Sequence, residues 1–204
     1  MLPVKTADSA LPLHPLLAER WSPRGFDQTY ALAPDELTTL LEAARWSPSA
    51  ANTQPWRFIV ARRGEEAFGR LHAMLMPGNQ IWADRASALV LVLAETVDDA
   101  GEPRPWALYD TGQSVAHLST QAHALGLHTH QMGGFDSAAA AAEFALPPQL
   151  TPVVVVAIGR LDDKAELPVP LHERERAIRT RYALDQLVLT TEAAASGADL
   201  RPAA

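Results

Sequence analysis

Apolar positions along this chain recur at two spacings, and these divide most of it into helices and strands. Leu37, Leu40, Leu41 and Ala44 recur at helical spacing behind Ala33-Pro34-Asp35-Glu36. Pro at the first position and acids in the first turn open this helix, and Pro48 ends it. Phe58 to Val60 is a short apolar run with strand character. A second helix is predicted from about Glu65 to Met76, with Phe68, Leu71 and Leu75 on one side and Pro77-Gly78 as its stop. Asn79 to Arg85 is expected to be a loop. Ala88 to Ala94, ALVLVLA, has no polar position and predicts a strand buried on both faces.

An acidic connection containing Gly and Pro runs from Ala94 to Arg104. The helix after it, from about Trp106 to Leu125, carries Leu108, Val115, Leu118, Ala122 and Leu125, with Gly126 placed to end it. Gly112, Ala116 and Ser119 leave room along it for a close neighbouring helix. Leu127 to Met132 is the next strand, Asp136 caps an alanine-rich helix to about Ala145, and Val153 to Gly159 is a last strand. From Arg160 the pattern becomes irregular and charged. Three prolines and little periodicity make residues 1–15 an arm, residues 16–185 a single domain, and 186–204 a flexible tail. Helices alternating with four or five strands give an α/β or α+β layered domain.

Composition narrows the function classes. At 204 residues and 22.0 kDa one domain with a real core is expected, and 48% hydrophobic with 20% charged residues is a soluble globular balance. No apolar run approaches the roughly 18 residues of a membrane helix, and the first residues do not read as a secretory signal, so no membrane partner and a cytoplasmic address are expected. With no cysteine, disulfides, thiolate nucleophiles, iron–sulfur clusters and zinc-thiolate sites are excluded. A net charge of -7 argues against nucleic acid as a main partner. Two groups of arginines nevertheless stand near the ends, Arg20 with Arg24 and then Arg174 to Arg181, around a more acidic middle.

Candidate chemistry lies in four stretches. In WSPSAANTQPWRFIVAR, Trp46 to Arg62, the loop groups Ser49, Asn52, Thr53 and Gln54 both donate and accept, and Pro48 and Pro55 restrict it. That suits a heteroaromatic ligand better than a metal or an anion, although such a loop taken alone is an ordinary turn between helix and strand. In Glu19 to Phe26, Arg20, Ser22 and Arg24 alternate, so an extended backbone would turn them to one side, where a phosphate monoester fits. Alone, this stretch reads as a solvated basic turn. Met132-Gly133-Gly134 offers a backbone that a flat face could approach, and Arg179-x-Arg181 supplies late cations. His128 and His130 face one way on a presumed strand, but without a carboxylate motif nearby no metal site is expected. The common dinucleotide, nucleoside-triphosphate, zinc-protease and esterase motifs are missing. Read together, the four stretches suit a phosphorylated planar cofactor such as flavin mononucleotide (FMN).

Over about residues 16–185 the chain resembles the nitroreductase family of flavoproteins. The matching stretches are RWSPRGF at Arg20 to Phe26, SPSAANTQPWRFIV at Ser47 to Val60, Asn79 before the buried strand, GLHTHQMGGFD at Gly126 to Asp136, the VVVVAIG strand, and Arg179-x-Arg181. The resemblance implies an α+β fold with a central, mainly antiparallel sheet flanked by helices, and an intertwined homodimer with FMN at the subunit interface. It implies that Arg20, Trp21, Ser22, Arg24, Asn79, Arg179 and Arg181 face the phosphate, ribityl and pyrimidine side. Pro48, Ser49, Ala50 and Asn52 would come from the partner subunit, with Gln131, Met132, Gly133 and Gly134 along the ring. The flavin would carry electrons from NADH or NADPH to a small oxidised acceptor, nitroaromatic or quinone-like, with no catalytic side chain required. A flavin-binding storage or sensor protein without turnover is one alternative, and a scaffold or interaction protein whose arginines are a solvated surface is another. Two departures stand out: a lysine common three residues after the Asn79 position is Trp82 here, and an acidic residue common at the Gly133 position is missing.

Overall fold

The structure, a computed structural model, describes residues 5–189 and 191. The first four residues of the expected arm, and most of the expected tail 186–204, lie outside the described residues. The strands are β1 (Trp56–Arg62), β2 (Ala88–Glu95), β3 (His128–Met132) and β4 (Leu150–Gly159). They form one sheet in the order β1-β2-β4-β3, with every neighbouring pair antiparallel. The helices are α1 (Pro15–Ala18), α2 (Pro34–Arg45), α3 (Glu66–Ala73), α4 (Pro77–Ala83), α5 (Ala107–Ala124), α6 (Ser137–Glu143), α7 (Val169–Arg176) and α8 (Leu184–Leu187).

The apolar run ALVLVLA becomes β2, and it is buried on both faces as its composition predicts. Side chains alternate across a strand. Leu89, Leu91 and Leu93 therefore join Phe68 and Leu71 of α3, Trp82 of α4 and Ala140 of α6 in one core. Ala88, Val90 and Val92 join Leu37 and Leu40 of α2 and Val115, Leu118 and Ala122 of α5 in the other. At about 1.5–3 kcal/mol for each large aliphatic side chain removed from water, this strand anchors both layers. The start of α2 is fixed as its sequence suggests: the Glu36 carboxylate accepts the Ala33 N–H at 2.8 Å.

The sequence reading departs furthest from the structure in three places. The segment expected as a loop at Asn79–Arg85 is largely helix α4, because Pro77 occupies the first turn of a new helix as well as stopping the old one. The region from Arg160 contains α7, whose charged sequence buries only Leu171 and Glu175 and so shows no apolar stripe. Strand β4 begins at Leu150, ahead of Val153, and carries Pro152 next to a register shift between Val92 and Leu93, a position where a missing N–H is tolerated.

One pairing places the candidate site. Phe26 bridges Leu161, the Asp27 N–H donates to the Arg160 carbonyl at 2.9 Å, and the Asp162 N–H donates to the Gly25 carbonyl at 3.1 Å. The early arginines are thereby carried to the segment that follows β4. Only glycine fits at position 25, since a Cβ there would lie 2.6 Å from the Asp162 carbonyl oxygen.

Candidate functional site

The alternation in RWSPRGF survives in three dimensions. Trp21 and Pro23 are buried while Arg20, Ser22 and Arg24 are half-exposed, as an extended segment with one covered side requires. The Arg20 guanidinium reaches the Ser22 hydroxyl at 3.4 Å. Glu175, on α7 and buried, holds this segment from behind: its Oε1 accepts the N–H groups of Arg24 at 2.8 Å and Gly25 at 3.1 Å. Its Oε2 lies 3.5 Å from the Arg24 guanidinium.

These residues open onto a cleft of about 240 Å³ that also takes in Arg174, Arg179 and Arg181 from the far end of the chain. Lys5 and Trp21 complete its wall, and no carboxylate lines it among the described residues. Burial, and then the charges of Arg179 and Arg181, pull the Arg20 guanidinium below its ordinary value. Arg179 is lowered by burial and then by Arg181. Partly desolvated cations that repel one another are what a bound anion relieves, and arginine forks beside a hydroxyl suit phosphate oxygens.

The polar loop after α2 is held in an unusual conformation. Ala51, Asn52 and Gln54 have φ of 50°, 56° and 46°, in the left-handed region that costs Ala and Gln roughly 1–2 kcal/mol each. The loop is pinned by Asp110 of α5, whose Oδ2 accepts the Ala50 N–H at 3.0 Å, and by Ser49 Oγ, which accepts the Gln54 N–H at 3.0 Å. Pro48, Ser49 and Ala50 border a cleft of about 300 Å³ with the exposed rings of Trp106 and Tyr109. Within one chain this cleft and the arginine cleft have no lining residue in common.

A third group forms where β3 ends. Gly134 is held by Asn79: the amide Nδ2 donates to the Gly134 carbonyl at 3.0 Å, and a Cβ on Gly134 would crowd that amide at 3.0 Å. Asn79 thus stands with Gly134 and not among the residues lining the arginine cleft. Gly133 is exposed, with open space where a side chain would go, and Met132 turns into the core. The exposed Gln131 donates to Ser119 Oγ at 3.2 Å. Trp82, where the resemblance leads one to expect a lysine, is fully buried against Phe26 and His130, at ring-centroid distances of 6.1 Å and 4.5 Å. That departure fills the core and leaves the clefts untouched.

Beneath the arginine cleft lie His128 and His130. His130 Nδ1–H donates to the Pro23 carbonyl at 2.8 Å, and His128 packs edge-on to Trp21 and His123. Burial lowers His128 to about 4, with His123 and Arg20 adding to the effect. Burial also brings His130 to about 4 against the opposing bond to Pro23, with Arg24 pushing the same way as burial.

Residues 17–76 and 69–160 match the family model described as the nitroreductase family. The chain belongs to the nitroreductase family. Among relatives, the putative NAD(P)H nitroreductase YdgI of Bacillus subtilis is 27% identical over 188 residues, covering 73% of this chain and 88% of that protein. An uncharacterized 15.4 kDa protein of Mycolicibacterium smegmatis is 39% identical over 142 residues, covering 66% of this chain and 95% of its own. Among solved structures, an oxidoreductase containing FMN superposes with a TM-score of 0.85 at 36% identity, covering 94% of this chain and 98% of the other. A putative nitroreductase from Desulfovibrio desulfuricans, solved with FMN, shares the fold at a TM-score of 0.70 and 24% identity, over 88% of this chain and 98% of that one. The antiparallel α+β architecture of this nitroreductase-family chain is therefore the one its sequence resemblance implies.

Sequence reasoning overlooked Lys5, Arg174, Glu175 and Asp110. Arg174 stood in the visible arginine cluster and Glu175 beside it. Lys5 and Asp110 reach their places only through contacts distant in sequence, at Ala177 and Ala50.

Proposed function

We propose that this nitroreductase-family protein is an FMN-dependent oxidoreductase that takes electrons from NADH or NADPH and delivers them to a small oxidised organic acceptor, nitroaromatic or quinone-like. The observation that carries this reading is the convergence of Arg20, Ser22, Arg24, Arg179 and Arg181, from opposite ends of the chain, on one cleft that has no lining carboxylate among the described residues. FMN fits the residues present: its phosphate answers the depressed, mutually repelling guanidinium groups, and its flat ring suits the backbone at Gly133, which has open space beside it. When bound, FMN supplies the redox chemistry between a nicotinamide and the acceptor.

The chain's own residues bind, orient and exclude. Arg20, Arg24, Arg179, Arg181 and Ser22 would hold the phosphate, with Trp21 as wall. Asn79 fixes the Gly134 backbone, so Gln131 to Gly134 would present a flat edge to the ring. Donors near the pyrimidine would favour negative charge there. Pro48, Ser49, Ala50 and Asn52 would complete the site from a second subunit of a homodimer. The separation of the two clefts within one chain supports that arrangement. So do the large exposed apolar side chains Trp106, Leu108 and Tyr109 near the start of α5, and Ile178, Tyr182 and Leu184 after α7. Among the described residues no helix is long and apolar enough to cross a membrane.

The visible spectrum of the purified protein tests the reading. Flavin absorbance that bleaches on anaerobic addition of NADH or NADPH is the expected result. Colourless protein that takes up no FMN on reconstitution would overturn it, and bound FMN that neither nicotinamide bleaches would make the protein a flavin store or sensor.

A further inference from the structure

The segment before α1 reads from sequence as an arm, and in the structure it is fastened beside the arginine cleft. The Ala7 N–H donates to the Ala18 carbonyl at 2.7 Å, and Arg179 Nη1 donates to the carbonyls of Lys5 at 2.5 Å and Ala18 at 2.7 Å. This places the Lys5 ammonium on the cleft wall beside Arg20 and Ser22, 4.9 Å above the Trp21 ring, where it donates to the Ala177 carbonyl at 2.5 Å. The side chain therefore lies against Trp21 of the early stretch and Ala177 of the late one.

A lysine delivered to a wall already holding several guanidinium groups is offset in part by the buried Glu175 carboxylate, and a bound anion would offset the rest. Two observations support an anion there. Burial lowers the Lys5 ammonium below its ordinary value; Glu175 opposes it, and Arg179, Arg176 and Arg24 each add a smaller push downward. Of the three donors on an ammonium, the bond to Ala177 uses one, so others remain for phosphate oxygens.

We propose that Lys5 is a phosphate-binding residue of the flavin site, and that the segment around it is a clasp by which this chain selects a phosphorylated flavin over an unphosphorylated one. This inference rests on the FMN reading above and deepens it. With the phosphate bound, Lys5 links the arm to the stretch from Arg174 to Arg181, and the cofactor and the arm hold each other in place.

The test compares dissociation constants for FMN and riboflavin, by quenching of flavin fluorescence, in the full-length parent, Lys5→Met, Lys5→Arg and Arg20→Ala. Lys5→Met should weaken FMN by about tenfold or more while leaving riboflavin within about twofold, because only FMN carries the charge that the ammonium meets. Lys5→Arg should recover most of the loss, and melting curves establish that each variant is folded. Equal losses for FMN and riboflavin in Lys5→Met would show that Lys5 only fastens the arm and would overturn the proposal. Unchanged FMN binding in Lys5→Met, with Arg20→Ala weakened, would also overturn it while leaving the FMN reading intact. A parent protein that binds FMN no better than riboflavin would end both.

Discussion

Glu175 Oε1 accepts the backbone N–H of Arg24 at 2.8 Å while Oε2 faces that residue's guanidinium at 3.5 Å. One buried carboxylate thus sets both the path of the Arg20–Gly25 segment and the position of one of its charges. Glu175→Ala should leave two N–H groups without acceptors and cost on the order of 2–4 kcal/mol in denaturant unfolding. Glu175→Gln, which keeps an acceptor for both N–H groups, should cost clearly less. Equal losses from the two variants would mean that the accepted bonds are not what Glu175 contributes.

Arg20→Ala and Arg181→Ala should each weaken FMN by roughly ten- to hundredfold, the equivalent of about 1.5–3 kcal/mol for a charge-assisted contact. Riboflavin should be almost indifferent to both changes. Equilibrium dialysis or fluorescence quenching reads the ratio directly, and two variants that keep FMN as tightly as the parent would show the phosphate site to be elsewhere.

Gly25→Ala tests the route of the chain. Its Cβ would meet the Asp162 carbonyl oxygen at 2.6 Å, a backbone atom that cannot step aside as a flexible side chain would. A loss of about 1–3 kcal/mol in stability is expected, as for other forced overpacking, together with weaker FMN binding as the arginines beside it shift.

The strained loop makes the opposite prediction. Ala51 sits at φ 50°, where glycine is at ease and alanine is not. Ala51→Gly should raise the midpoint of thermal unfolding, by an amount equivalent to roughly 0.5–1 kcal/mol. Flavin affinity measured alongside shows whether the added freedom loosens the site.

Acid should weaken the fold through His128 and His130. Both are held near 4 in the folded protein against an ordinary value of 6.5, so the unfolded chain takes up more protons between those limits. Their contribution is fully present above pH 6.5 and is lost progressively as pH falls towards 4, with at most about 3 kcal/mol for each ring. Denaturant midpoints across this window should fall for the parent and fall less for His130→Gln.

Much of this was legible in the sequence, where one-dimensional patterns have a single spatial meaning. ALVLVLA has no polar residue to face water, so its burial on both sides follows directly, and R-x-S-x-R can align its side chains only on an extended backbone. Pro77 misled because proline both ends one helix and begins another. Helix α7 escaped because its buried face is one leucine and one glutamate. Nothing local could tell where the arm of Lys5 would lie, or that Asp110 would reach the Ala50 N–H, since such contacts join residues far apart in the chain.

Strand β2 is bonded along both edges and covered on both sides, so its amide protons should be among the last in the molecule to exchange with deuterium. The segments bearing Lys5, Arg20 and Arg181 lie outside that sheet and should exchange early. A slow interior with a fast cationic margin would let the proposed binding segments adjust to an incoming anion while the scaffold stays fixed.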